Sequence, residues 1–466
     1  MENAYYKKNI VKSGLYVFDF IVLNLTYYMS LYYLTHSIGY HEMMTMVMVV
    51  AITFLSFRLY NMYQELEHAR YTEVVVKSII ANFVSMLGAG YTLMLRQDYG
   101  EKMMLTVFPI TLGITTMARI LAKRYIVSRY DKSNILLIGN DDDIKEIVKK
   151  FFMKYFRTYN ISYIAPANLT TQAFENKDEV LINQNIWPET KEKIVAEILR
   201  RRLSYRIIPG NYEILVATSR AGQIYDSFTF KKMASKRYLY RITKRTMDIV
   251  VGLVGLILSS PFILFAALAL KIENPKDPIF YTQERVTRDD RVFLMLKLRS
   301  MVVDAEHKSG AVLAGKHDAR ITRVGAVLRK FRFDELPQFW NVLVGDMSLV
   351  GPRPERPEFV EEYNKELLLY DYRHRVRAGL TGLAQISGYY STTAADKLKH
   401  DLYYVENHSI IQDIIILLQT VEVILQPSKS AGLDEYQSLE EVVAKKKYKI
   451  VEENHLHKIL REERPS

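Results

Sequence analysis

The chain has 466 residues, no cysteine, and a formal charge of +11 from 63 Lys and Arg against 52 Asp and Glu. That length exceeds one hydrophobic core, so two or three units are expected, and the lack of cysteine excludes a disulfide framework and any thiolate metal site. The positive balance suits anionic lipid surfaces, phosphorylated substrates and nucleic acid alike and does not choose among them.

A mean hydropathy of -0.06 hides a divided chain. Four apolar segments, Leu15–Leu34, Met43–Tyr63, Val74–Leu95 and Met103–Ala122, are each long enough to span a bilayer at ~1.5 Å rise per residue. Lys7, Lys8 and Lys12 precede the first, Arg58, Arg70 and Lys77 flank the second loop, and Lys123, Arg124 and Arg129 follow the fourth. By the positive-inside rule both ends of this bundle are cytoplasmic. No small-residue cleavage pattern follows the first segment, so the N-terminus reads as an anchor and not as a removed signal.

From Asn134 the pattern changes. Ile135-Leu-Leu-Ile-Gly139 reads as a buried strand, Asp143–Tyr155 as a helix, and short strands alternate with helices to about Ser227, as in a Rossmann-like α/β domain. G-x-G-x-x-G is missing, and three aspartates follow Asn140 where a pyrophosphate would sit, which favours a structural or regulatory module. A basic linker, residues 231–245, leads into the apolar block Met247–Leu270, interrupted by Ser260-Pro261. Proline removes a helical hydrogen bond, a serine hydroxyl can satisfy the freed carbonyl, and basic residues lie on both flanks. The reading is a re-entrant helix-break-helix dipping into one leaflet. Beyond residue 428 the chain is densely charged and reads as a solvated or partner-facing tail.

After the apolar block, groups suited to phosphate accumulate: Lys297 and Arg299, Arg320, Arg323 and Arg329, Arg353, then Arg373, Arg375 and Arg377. Arginine forks match phosphate oxygens bidentately. Among these runs stands one adjacent carboxylate pair, Asp334-Glu335, followed by Leu-Pro337-Gln. Pro337 is tolerable only in a first helical turn, so Asp334 is expected at a helix N-terminus whose dipole keeps it ionised. An ionised aspartate can attack phosphorus, and Glu335 is free to hold Mg²⁺, which takes one or two carboxylates. Taken alone, the dipeptide reads as a simple helix cap with a capping acid.

Residues Arg241–Gln426 resemble the catalytic domain of the bacterial polyprenyl-phosphate sugar-1-phosphate transferases, a monotopic family. The strings that carry the likeness are Lys244-Arg-Thr-Met-Asp248, Ser260-Pro261, Lys297-Leu-Arg-Ser-Met301, Asp334-Glu-Leu-Pro-Gln338, the run from Asn341 through Gly351-Pro-Arg-Pro354, Gly379-Leu-Thr-Gly-Leu-Ala-Gln385 and Asp401-Leu-Tyr-Tyr404. The N-terminal segments and the α/β domain further resemble long-form members. The resemblance implies that Asp334 takes a hexose-1-phosphate, glucose or galactose, from a UDP-sugar, that UMP leaves, and that undecaprenyl phosphate accepts the phosphosugar to start capsule or exopolysaccharide assembly. It implies Mg²⁺ on Glu335, with Arg329 and Arg353 as phosphate clamps, Lys297, Arg299 and Arg377 next, and Asp401 as a further substrate contact. It also implies the inner membrane as location, the catalytic domain on the cytoplasmic face, no nucleic-acid partner, and as protein partners a second copy of the chain and downstream glycosyltransferases. Ala378 and Phe331-Arg-Phe333 depart from the usual pattern.

The expected architecture is thus a membrane protein of α plus α/β class. It has four transmembrane helices over residues 1–130, a Rossmann-like domain over 131–230, the linker, an α-rich monotopic catalytic domain with its re-entrant hairpin over 246–428, and a tail over 429–466. The competing classes are a catalytically inactive membrane scaffold and a transporter. The transporter is disfavoured because the apolar segments are expected to bury almost no charges of the kind transport pathways use, Asp19, Arg58 and Lys77 lying near segment ends.

Overall fold

A computed structural model describes residues 2–36, 39–63, 66, 68–94, 100–129, 132–217, 220–224, 227–231, 238–303, 320–387, 393–424 and 438–461. Most of the tail's first residues and linker residues 232–237 lie outside the described residues. The chain divides into two compact units, residues 1–210 with 434–466, and residues 211–433.

The first unit opens with helices α1 (Glu2–Thr35), α2 (Tyr40–Leu59), α3 (Tyr71–Met94) and α4 (Gly100–Arg129). Each packs against two of the others, α1 on α2 and α4, α3 on α2 and α4. Their outward faces are apolar, with Val17, Phe20, Met48, Leu55 and Met117 exposed, while hydroxyls and amides turn inward. Thr53 and Ser85 hydroxyls meet at 2.6 Å, and Asn82 Nδ2 donates to the Ser78 carbonyl at 2.9 Å. This inversion is what a bundle in lipid requires, where polar groups serve as interhelical contacts. Segments Ile10–Leu34, Tyr40–Leu59, Leu105–Arg129 and, in the second unit, Tyr240–Glu273 are long and apolar enough to cross a membrane.

One feature runs against the expectation that these segments bury almost no charge. Asp19 and Arg119 form a bidentate ion pair, Oδ2 to Nη2 at 2.5 Å and Oδ1 to Nη1 at 3.3 Å, both fully buried. Tyr63 donates its hydroxyl to the same Asp19 oxygen at 2.7 Å. Removing one partner leaves the other charge without compensation in a low dielectric, so Asp19→Ala is expected to cost about 3–5 kcal/mol. Replacing both residues by leucine restores much of that loss. Thermal unfolding of the detergent-solubilised protein checks this, and simply additive losses would refute the coupling.

Below the bundle the first unit carries a mixed sheet. β1 (Ser133–Ile138), β2 (Tyr159–Ile164), β3 (Glu179–Ile182) and β4 (Ser204–Ile207) pair in parallel in the order β2-β1-β3-β4. The alternation along β1 sends Ile135 and Leu137 to one face with α5 (Asp141–Tyr155), and Leu136 and Ile138 to the other with α6 (Pro188–Arg200). Asp141 to Asp143 open α5, as the sequence implied.

The charged tail is not a solvated extension. Strand Leu456–Arg461 adds antiparallel to β2, and Tyr448–Glu453 adds outside it, giving six strands. Helix Leu439–Lys445 buries Leu439, Val442 and Val443 in the core cluster that holds α5.

The second unit begins earlier than expected. α7 (Asn211–Ala217) places Ile214 among Val286, Val360, Tyr370, Leu398 and Leu402, so the boundary placed at residue 230 falls near Gly210. α8 (Tyr238–Glu273) runs through Ser260-Pro261 as one helix, where the sequence predicts a break. The proline cannot donate to the Ile257 carbonyl, but the Ser260 hydroxyl does, at 2.8 Å, which removes the penalty that would end the helix. At its base, Lys244 pairs with Asp413 at 2.8 Å, and Asp248 accepts from Ser348 Oγ and Leu349 N at 2.9 and 3.0 Å. These motif residues fasten α8 to the strand Ser348–Val350 and the helix Ile410–Ile424.

Candidate active site

Three local structures converge on the carboxylate pair. An antiparallel hairpin, Phe280–Val286 with Val292–Leu298, turns Phe293 and Met295 into the core, and Lys297 continues that side of the strand. Asn341 locks the hairpin: its Oδ1 accepts from Leu296 N and its Nδ2 donates to the Leu294 carbonyl, both at 2.9 Å. Between them Phe333–Glu335 forms a single 3-10 turn, and the helix Gln338–Val344 follows with Pro337 as its N-cap.

Arg353 arrives from the third structure, the extended Gly351-Pro-Arg-Pro354. Gly351 N donates to the Thr381 carbonyl at 2.9 Å. A side-chain carbon on Gly351 would collide with the Arg377 carbonyl, and one on Gly379 with the Gly351 amide, so both positions demand glycine for close backbone approach. Arg373 Nη2 donates to the Arg353 carbonyl at 2.9 Å, and Arg285 Nη1 to the Pro354 carbonyl at 3.3 Å.

At the centre, Arg353 Nη2 donates to Glu335 Oε1 at 3.1 Å, and Arg332 Nη1 lies 3.7 Å from Oε2. Arg332 holds a left-handed backbone conformation, φ 57°, which is uncommon for a residue with a side chain. Burial opposes ionisation of Glu335, yet Arg353, Lys297 and Arg332 together hold its pKa at about 2. Burial pulls the Lys297 ammonium down to about 8, with Glu335 opposing and Arg353 adding to the fall. For Asp334 burial first, and then the Glu335 charge, raise the pKa above the usual carboxylate value, with Lys297 and Arg329 opposing. The sequence placed Asp334 at the N-terminus of the following helix, but the residue sits a turn ahead of Gln338–Val344, in a 3-10 turn of its own, and its pKa shifts upward.

Of the residues singled out in sequence, the structure gathers Asp334, Glu335, Lys297, Arg329 and Arg353. Among the described residues the side chains of Lys297 and Arg329 make no hydrogen bond or ion pair, and the Asp334 carboxyl meets only its own backbone N–H, although each of the two cations acts electrostatically on it. A carboxylate facing two uncommitted cations is an arrangement that an anionic substrate completes.

Three others are placed elsewhere. Arg299 is buried and pairs with Asp277, donating also to the Leu270 carbonyl at 3.3 Å, so it ties the end of α8 to the hairpin. Asp401 is 2% exposed and takes Nε and Nη2 of Arg373 at 2.9 and 2.7 Å, and through Arg373 it supports the Arg353 loop. Arg377 lies with Arg288, Arg245 and Arg291, and burial and these like charges lower its pKa. Sequence reasoning missed Arg285 and Arg373 as supports of this loop, since neither a strand pattern nor a basic run says which carbonyl a guanidinium will meet.

The residues present fit a magnesium ion. Among the described residues no group of three or more His, Asp or Glu gathers to cage a metal. Mg²⁺, however, takes one or two protein carboxylates and completes its shell with waters and phosphate oxygens. The adjacent Asp334 and Glu335, whose repulsion raises the Asp334 pKa, are such a donor set.

A profile described as bacterial sugar transferase matches residues 239–427. A UDP-N-acetylgalactosamine-undecaprenyl-phosphate N-acetylgalactosaminephosphotransferase of Aeromonas hydrophila is 45% identical over 190 residues, 40% of this chain and 44% of that protein. An exopolysaccharide production protein of Rhizobium leguminosarum is 40% identical over 39% of this chain and 94% of its own length. A sugar transferase of Haemophilus influenzae is 26% identical over 89% of this chain and 97% of its own length. Further relatives are named for glucose or galactose transfer to undecaprenyl phosphate.

Proposed function

Because the chain belongs to the bacterial sugar transferase family, we propose that it moves a hexose-1-phosphate from a UDP-sugar to undecaprenyl phosphate through an aspartyl intermediate on Asp334. The observation that carries this reading is the uncommitted group of Asp334, Lys297 and Arg329 beside Glu335 and Arg353.

In the first step an Asp334 carboxylate oxygen attacks the phosphorus that bears the sugar, the bond to the bridging oxygen breaks, and UMP leaves with that oxygen's electron pair. In the second, an oxygen of undecaprenyl phosphate attacks the same phosphorus, and Asp334 departs as the carboxylate. Two easier displacements replace one. Lys297, Arg329 and Arg353 neutralise the pyrophosphate and hold it in line for attack, which is most of what phosphoryl transfer asks of a protein. A Mg²⁺ held by Glu335 would supply further charge neutralisation on the phosphate oxygens.

The proposal includes a catalytic unit on the cytoplasmic face of the inner membrane, where UDP-sugars are, and a re-entrant α8. What supports the latter is the position of Pro261 midway along the apolar stretch, with Arg245 before it and Lys271 after it. The β2-β1-β3-β4 order likewise supports a Rossmann-like origin for the sheet domain.

The purified protein, given undecaprenyl phosphate and a panel of UDP-glucose, UDP-galactose and UDP-N-acetylgalactosamine, is expected to release UMP with at least one donor. No release with any UDP-sugar would favour an inactive scaffold. The pH dependence of kcat/KM is expected to be bell-shaped. Asp334 must be ionised, so activity falls as pH drops through a pKa raised above ~3.9. Lys297 must be charged, so activity falls again as pH rises through about 8. Lys297→Arg is expected to remove the alkaline limb, and an unchanged limb in that variant would assign it to another group.

A further inference from the structure

Outside the catalytic unit, the helical bundle carries a second place built for an anion. A cavity of about 270 Å³ is lined by Tyr16, Arg58, Asn61 and Tyr63. Its residues come from the early part of α1, the last turn of α2 and the turn that follows, the same end of the bundle at which Asp19 meets Arg119.

The floor is fixed from beneath. Tyr63 is buried, its hydroxyl is committed to Asp19, and the Tyr16 ring stacks on it at 3.6 Å between centroids. Asn61 adopts φ 50° and its amide closes onto the Arg58 carbonyl at 3.1 Å, so the chain folds back over the end of α2. Nearby cations are engaged: Arg119 with Asp19, Lys123 with the Leu66 carbonyl at 3.2 Å, Lys77 with Glu73 at 3.1 Å. Arg58 differs. Among the described residues its guanidinium has no hydrogen-bond or ion-pair partner, and neither do the Tyr16 hydroxyl and the Asn61 side-chain amide.

Three uncommitted donors, one of them a permanent cation, therefore converge on one small cavity. Its volume falls below the ~300 Å³ at which pockets for whole small molecules begin, so it admits a head group and not a nucleotide-sugar. The surroundings define the rest of the ligand. Val17, Phe20 and Leu55, exposed on the same helices by more than half, offer apolar surface for acyl or prenyl chains. Basic pockets between membrane helices take lipid head groups by this combination of cation and apolar flank.

We propose that this cavity binds the phosphate of an anionic lipid, with Arg58 pairing the phosphate and Tyr16 and Asn61 donating to its oxygens. Phosphodiester phospholipids and polyprenyl phosphates share this chemistry, and the test separates them. Full-length protein in nanodiscs is supplied with phosphatidylcholine, phosphatidylglycerol or undecaprenyl phosphate in turn, and retained lipid is measured by native mass spectrometry. Wild type is expected to retain an anionic lipid over phosphatidylcholine. Arg58→Ala is expected to lose retention about fivefold, the contribution of one basic residue at an anionic surface, while Arg58→Lys keeps most of it. Selective retention of phosphatidylglycerol assigns the site to phospholipid, and selective retention of undecaprenyl phosphate assigns it to the polyprenyl monoester. Because Arg58 has no side-chain partner among the described residues, its variants should unfold at the wild-type temperature. Equal retention of neutral and anionic lipids, or undiminished anionic retention in Arg58→Ala, overturns the proposal.

Discussion

Asparagine at position 334 is expected to reduce UMP release by about four orders of magnitude or more and to abolish any phosphosugar adduct on the protein, while leaving the unfolding temperature close to that of the wild type. The amide keeps the shape of the carboxylate but is no nucleophile, and removal of a nucleophile typically leaves only what binding and electrostatics contribute. Stability should be little affected because among the described residues the Asp334 carboxyl accepts only from its own backbone N–H, a bond an amide oxygen can keep, and its burial beside Glu335 already disfavours the charged form. Trapping the wild type with labelled UDP-sugar in the absence of lipid should give an acid-labile adduct that maps to the peptide containing Asp334. Retention of full activity by Asp334→Asn would remove the covalent route altogether.

Asp401→Ala is expected to be nearly as damaging to activity, by a different path. Arg373 would remain buried with its guanidinium unpaired, a loss of about 3–5 kcal/mol in stability. Because Arg373 also donates to the Arg353 carbonyl, the loop that presents Arg353 to Glu335 would lose a strut. The variant should unfold at lower temperature, and the activity that survives should fall in kcat and rise in KM together. A variant that unfolds at the wild-type temperature and shows only a raised KM would instead make Asp401 a direct substrate contact. The two variants thus separate chemistry from scaffolding within one site.

Sequence legibility followed how local each signal is. Four apolar helices, the strand ending at Gly139, and the gathering of Lys297, Arg329 and Arg353 around Asp334-Glu335 were all readable, because each rests on short-range pattern or on residue type suited to phosphate. Arg299 and Asp401 lie apart from the carboxylate pair, and the sequence did not show it, because residue type does not name the partner. Arg299 meets Asp277, and Asp401 meets Arg373, across loops whose closure only the fold determines. The Asp19–Arg119 pair spans 100 positions and was invisible for the same cause. The tail is a different case. Leu439, Val442 and Val443 stand at helical spacing, yet the lysine run from Lys445 to Lys449 made the segment read as solvated.

That tail also sets an order of events in the life of the chain. β2 is made early in synthesis, but its antiparallel neighbour, Leu456–Arg461, is made only after the whole catalytic unit. Until then β2 presents an unpaired edge of the kind that recruits foreign strands. A nascent chain that stops short, having already made Asp334 and everything around it, still lacks the piece that closes its first domain. Closure of the sheet thus waits on synthesis of the catalytic unit, so a product that stops before Leu456 carries an open sheet edge whatever the state of its chemistry.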